Sequence, residues 1–150
     1  MIAQLELQND DHLNCPSLRE FERWANASLA TINYAKPAAF TLRIADPTEI
    51  RKLNAQYRNQ DKATNVLSFP ASLPAELELP DIGDIVICAE IVEQEAAAQH
   101  KPLENHWAHM TVHGILHLLG YDHMVEGEAV KMEALETQIL ITLGFAAPYE

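Results

Sequence analysis

Residues 83–88, Gly-Asp-Ile-Val-Ile-Cys, form a near-continuous apolar run rich in β-branched side chains. Such a run reads as a central strand buried on both faces. The rest of the chain arranges itself around it. Upstream, residues 65–69 (NVLSF) read as a short strand that stops at Pro70, and residues 70–81, with three prolines, read as an exposed loop. Residues 59–64 are polar and loop-like. Before them, Asp46-Pro47-Thr48-Glu49 is a strong helix start, with an N-cap, proline at the first position and glutamate at the third. That helix should run to about Arg58. Residues 38–45 (AAFTLRIA) read as another strand. Residues 17–32 place Leu18, Phe21, Trp24, Ala25 and Leu29 on one helical face, with Ser17 and Glu20 spaced as a capping box. Residues 2–8 (IAQLELQ) alternate apolar and polar and read as a strand. Downstream of Cys88, helical patterns cover 89–99, 103–119 and 126–143. Strands alternating with helices, then helices alone, predict an α+β (α/β-like) fold: one small mixed sheet of about four strands flanked by helices.

Composition bounds the class. The chain of 150 residues fits one domain, 1–150. Its 48% hydrophobic and 21% charged content is globular and excludes a disordered chain. No apolar run approaches the roughly 18–20 residues that span a bilayer. The N-terminus has no basic segment leading into a long apolar one, so no signal peptide is read and a cytoplasmic location is expected. Cys15 and Cys88 are too few for a disulfide scaffold and read as free thiols. The net charge of -12 is uneven: residues 1–75 hold eight Lys/Arg and eight Asp/Glu, whereas residues 76–150 hold two and fourteen. The chain as a whole repels nucleic acid at long range, so any phosphate-binding surface must be local to the first half.

Four of the seven histidines lie between residues 109 and 123. The stretch 113–123 is HGILHLLGYDH. His113 and His117 are four apart, about 40° around a helix and one turn along it, so two imidazoles can grip one ion. Gly120 supplies a left-handed helix end, after which the chain can return His123 to the same ion. Three imidazoles leave a fourth tetrahedral position for water, the mark of a catalytic zinc site. There the ion lowers the pKa of its water and makes a hydroxide nucleophile. The spacing HxxxHxxGxxH matches that of the metzincin zinc proteases, which makes 103–119 a metzincin-like zinc-site helix. The match lacks the protease's general base: Gly114 stands where HExxH enzymes carry glutamate. His106 and His109 fall on the same side of the helix. They are either further ligands or, as is commoner, imidazoles satisfied by ordinary hydrogen bonds. Asp122 either orients the third histidine or caps the turn.

The segment 57–70, YRNQDKATNVLSFP, holds Arg58 and Lys62 in the least acidic part of the chain. Arginine at a helix end beside a polar loop can clamp a phosphate with two parallel bonds. The alternative is a solvated C-terminus favoured by the helix dipole. Asp84 is either a strand-start residue or an acid near the metal.

Together HGILHLLGYDH (113–123), YRNQDKATNVLSFP (57–70) and GDIVIC (83–88) resemble the YbeY family of metal-dependent endoribonucleases, over roughly residues 37–145. The resemblance implies zinc held by His113, His117 and His123 and a functional role for Arg58; the expected catalytic residues are His113 and Arg58, and Arg58 and Lys62 are the residues expected to bind substrate. It implies cleavage of single-stranded RNA in ribosomal RNA maturation, including the 3′ end of 16S rRNA, and in ribosome quality control. The partners it implies are small-subunit proteins and an assembly GTPase, with no membrane. One departure stands out: the family usually reads Thr-Asp-Val-Leu-Ser-Phe where this chain has Thr64-Asn65-Val66-Leu67-Ser68-Phe69. The other readings of the residues are a zinc-protease-like hydrolase and a metal-stabilised assembly factor without catalysis.

Overall fold

A computed structural model describes residues 3–71, 79–121 and 126–148 of the chain. In chain order the elements are β1 (Gln4–Gln8), α1 (Leu18–Thr31), β2 (Ala39–Ala45), α2 (Pro47–Arg58), β3 (Val66–Pro70), β4 (Asp81–Cys88), α3 (Ala89–Ala98), α4 (Leu103–Leu118) and α5 (Glu126–Thr142). The four strands form one sheet in the order β1-β2-β4-β3. β1, β2 and β4 run parallel, and β3 is antiparallel to β4 at the edge. The sheet is therefore mixed, and the apolar run 83–88 lies between two neighbours as its composition requires.

Local chemistry explains the boundaries. Ser17 accepts the Glu20 backbone N–H at 3.2 Å while its own N–H donates to the Glu20 carboxylate at 3.2 Å, a complete capping box. Asp46 accepts the Glu49 N–H at 2.8 Å, with Pro47 in the first turn where its missing donor costs nothing. β4 starts at Asp81, two residues before the apolar run. Between the pairs Ala39–Asp81 and Phe40–Gly83 the register shifts, leaving Ile82 as an extra residue in β4. Gly83 carries the bulge at φ 131°, and a Cβ there would stand 2.2 Å from the Phe69 carbonyl oxygen. β3 likewise extends to Pro70, tolerated because the strand is an edge. Part of the expected exposed loop is thus strand, and residues 72–78 of it lie outside the described residues.

The sheet alternates. Phe40, Leu42 and Ile44 of β2 and Ile85 and Ile87 of β4 face the main core, where Phe21, Trp24, Trp107, Ile115 and Leu116 meet them. Ala45, Leu67, Val86 and Cys88 face the other way into a smaller cluster closed by Ile50 of α2. α4 is buried nearly all round, from His106 through Leu118, as a helix must be when sheet and helices enclose it. Among the described residues no helix is long and apolar enough to cross a membrane.

Candidate active site

The sequence predicts His113 and His117 on one face of a helix, and α4 puts them there. Their ring centroids lie 5.0 Å apart at 60°. The helix ends just beyond. Gly120 takes φ 99°, its N–H donates to the His117 carbonyl at 3.1 Å, and the Tyr121 N–H reaches back to the Leu116 carbonyl at 3.1 Å. That is a Schellman ending, which closes the helix one turn beyond His117. His123 and Asp122, which the sequence assigns to this turn, lie outside the described residues. Among the described residues no group of three or more His, Cys, Asp or Glu is set to hold a metal ion.

Position 114 has a packing reason to be glycine. A Cβ there would stand 3.0 Å from Cγ2 and 3.1 Å from Cδ1 of Ile85, so α4 lies directly on β4 at this point. The Gly114 carbonyl also accepts the Ser68 hydroxyl at 3.3 Å, tying the helix to the edge strand.

Arg58 is the last residue of α2, which Asn59 ends in a left-handed conformation at φ 57°. Its Nη2 donates to the Ser68 carbonyl, and its guanidinium lies 5.2 Å from the centroid of the Phe69 ring. One bond is thus given to the edge of β3, and four further N–H donors remain on the fork. Arg58, Ser68, His113 and His117 all line one cavity of about 470 Å³, open to solvent and bordered by Pro70, Gly120 and Tyr121. Lys62 sits exposed in the loop after α2, outside that lining. Asp84 is on the sheet face opposite Ile85, away from α4, and is a strand residue. Burial, followed by the nearby charge of Asp81, pushes its carboxyl above the usual range.

His106 and His109 each turn Nε2 to a carboxylate rather than to the His113–His117 cavity: His106 Nε2 is 2.9 Å from Glu95 Oε1, and His109 Nε2 is 2.7 Å from Glu136 Oε1. Burial holds the His106 imidazole below its ordinary pKa, although the Glu95 contact pulls the other way. Glu136 is the functional candidate that sequence reasoning missed. It is fully buried, and the same Oε1 lies 3.4 Å from Nδ1 of His113. Burial opposes its charge, yet the bonds to His109 and His113 prevail and hold its pKa at about 2. A signal for it existed. Met132, Glu136, Ile139 and Leu140 are spaced as one buried stripe of α5, and a carboxylate in such a stripe requires a partner. Asn65 caps the start of β3, accepting the Val66 N–H at 2.7 Å and donating to Glu95 at 3.1 and 3.3 Å. It does not line the cavity.

An imidazole pair and a guanidinium thus line one open cavity at the edge of a small mixed sheet in an α+β fold. The family model for the endoribonuclease YbeY matches residues 5–144, and the chain belongs to that family. Membership makes it an endoribonuclease of ribosomal RNA processing, with RNA as substrate. The fold is similar to the solution structure of TM1509 from Thermotoga maritima, with a TM-score of 0.60, 22% identity and 99% of each chain covered.

Proposed function

We propose that the chain, acting as one domain over 1–150, is a zinc-dependent endoribonuclease specific for single strands. The observation that carries this reading is the sharing of one cavity by His113, His117 and Arg58. The donor set fits a zinc ion. Two imidazoles stand one turn apart, and Nδ1 of His113 is turned to a buried carboxylate, the arrangement that leaves Nε2 for a ligand. His123 would complete the set. When bound, the ion would supply Lewis-acid polarisation of a phosphate oxygen and an activated water. The remaining work falls to the chain's own residues. Arg58 presents its free N–H donors to the non-bridging phosphate oxygens and neutralises charge as it develops. The Ser68 carbonyl and the Phe69 ring fix the guanidinium plane, so little reorganisation is left for the reaction. Lys62, outside the cavity, steers the RNA backbone. The work is done in the cytoplasm on maturing ribosomal RNA, including the 3′ end of 16S rRNA and ribosome quality control, with small-subunit proteins and an assembly GTPase as partners. Those contacts offset the -12 net charge that works against free RNA.

The test is metal content by mass spectrometry of untagged wild type and His117→Ala, followed by cleavage of a single-stranded RNA by wild type and Arg58→Ala. Near-stoichiometric zinc lost in the histidine variant, with a large fall in cleavage by a folded Arg58 variant, supports the reading. Zinc-free wild type that cannot be reconstituted at neutral pH overturns the metal mechanism. Unchanged cleavage by Arg58→Ala overturns the clamp.

A further inference from the structure

Tyr57 precedes Arg58 in the last turn of α2 and is 60% exposed. Among the described residues it is the one exposed aromatic side chain. It is nonetheless held in place. Its ring packs edge-on against Phe69 with centroids 5.4 Å apart at 69°. The same Phe69 ring carries the Arg58 guanidinium at 5.2 Å. One side chain of the edge strand therefore positions both an exposed aromatic ring and a guanidinium that lines the cavity of His113 and His117. A core-forming aromatic would be buried, and a merely solvated helix end has no need of one. A flat ring fixed beside an anion-binding fork matches one repeating ligand unit, a nucleobase joined to its phosphate. The setting agrees, because six of the ten basic residues fall between Lys36 and Lys62.

We infer that Tyr57 is a stacking platform for the nucleobase adjoining the phosphate held by Arg58. This rests on the endoribonuclease reading and extends it to a base-binding subsite at the cavity rim. Stacking is tolerant of sequence because every base has a π-face, and it favours single strands because a paired base has both faces occupied. The step is one of binding only.

The test uses fluorescence anisotropy at 4 °C with a labelled 2′-O-methyl oligonucleotide, checked intact by gel after titration, and a set carrying one abasic residue at each position in turn. Proteins are wild type, Tyr57→Phe and Tyr57→Ala, with melting curves for each. Base–aromatic stacking of about 1–3 kcal/mol corresponds to a loss of about 5- to 150-fold in Tyr57→Ala. Tyr57→Phe should stay within about twofold of wild type. One abasic position should weaken wild-type binding by a similar factor and leave Tyr57→Ala unaffected, a coupling that a purely structural role of the ring does not produce. Equal RNA binding by wild type and a folded Tyr57→Ala, or uniform effects of all abasic positions, overturns the platform and leaves the function standing. Absence of oligonucleotide binding by wild type, even at low salt, overturns the platform, whereas the function itself is decided separately by the RNA-cleavage assay.

Discussion

Gly114 is the point at which the helix carrying the histidines is pressed on the sheet, and adding one methyl group there tests the whole arrangement. In Gly114→Ala the new Cβ meets Ile85 at 3.0 and 3.1 Å. Ile85 is fully buried and β-branched, so it cannot swing aside cheaply. Overpacking of this kind costs about 1–3 kcal/mol. Alanine regains about 1 kcal/mol of helix propensity. The single variant should therefore lose about 0–2 kcal/mol, or up to several degrees of melting temperature in a domain of this size. Ile85→Ala alone should cost about 2–5 kcal/mol as a cavity. In the double variant the Cβ enters that cavity, so the two losses should sum to too much by about 1–3 kcal/mol. Urea titrations of the four proteins, read by fluorescence of the buried Trp24 and Trp107, measure the cycle. Additivity within about 0.5 kcal/mol would refute the claim that Ile85 is what excludes a side chain at position 114.

Three further outcomes are expected. In Glu136→Gln the amide oxygen can still accept from both imidazoles but without charge, so stability should fall by about 1–3 kcal/mol. On the proposed reading, zinc affinity measured against a chromogenic chelator should drop about 10- to 100-fold; unchanged affinity would reduce Glu136 to a packing role between α4 and α5. Asn65→Asp exchanges a donor 3.1 and 3.3 Å from the Glu95 oxygens for a second carboxylate. Thermal melts should show a deficit at pH 7.5 that shrinks toward pH 4.5 as the pair takes up a proton, with no gain in RNA cleavage; a deficit independent of pH would contradict the contact. Burial depresses the His106 pKa, so the unfolded chain binds its proton more readily below the ordinary value of 6.5. Stability should therefore rise with pH through the window below 6.5, by at most about 1.4 kcal/mol per pH unit, and the slope should flatten in His106→Gln.

Much of this architecture is legible because its determinants are local. Ser17 with Glu20, Asp46 with Pro47, and Gly120 after Leu119 each specify an ending through atoms only a few residues apart. The apolar run 83–88 identifies a central strand by content alone. What escapes a reading of spacing depends on contacts between distant segments. Ser68 carries no signature, yet its carbonyl seats Arg58 and its hydroxyl bonds Gly114. Glu136 lies 23 residues beyond His113, and a search for acids near the histidines stops at Asp122. The bulge at Gly83 is invisible until β2 and β4 are paired.

The comparison with HExxH enzymes turns on the same contacts. There the acid follows the first histidine directly and faces the cavity as general base. Here that helix position faces Ile85 and holds no side chain. The carboxylate near His113 comes instead from α5, fully buried against Nδ1 and outside the cavity lining. From there it can orient an imidazole but cannot take a proton from a water in the cavity. Among the described residues, the charged side chain that lines the cavity with the histidines is the guanidinium of Arg58. A cationic fork stabilises a phosphodiester, which is anionic before and during cleavage, far more than a neutral peptide bond. Histidine spacing alone leaves protease and nuclease open; the steric closure of position 114 and a guanidinium in the histidines' cavity favour the phosphodiester.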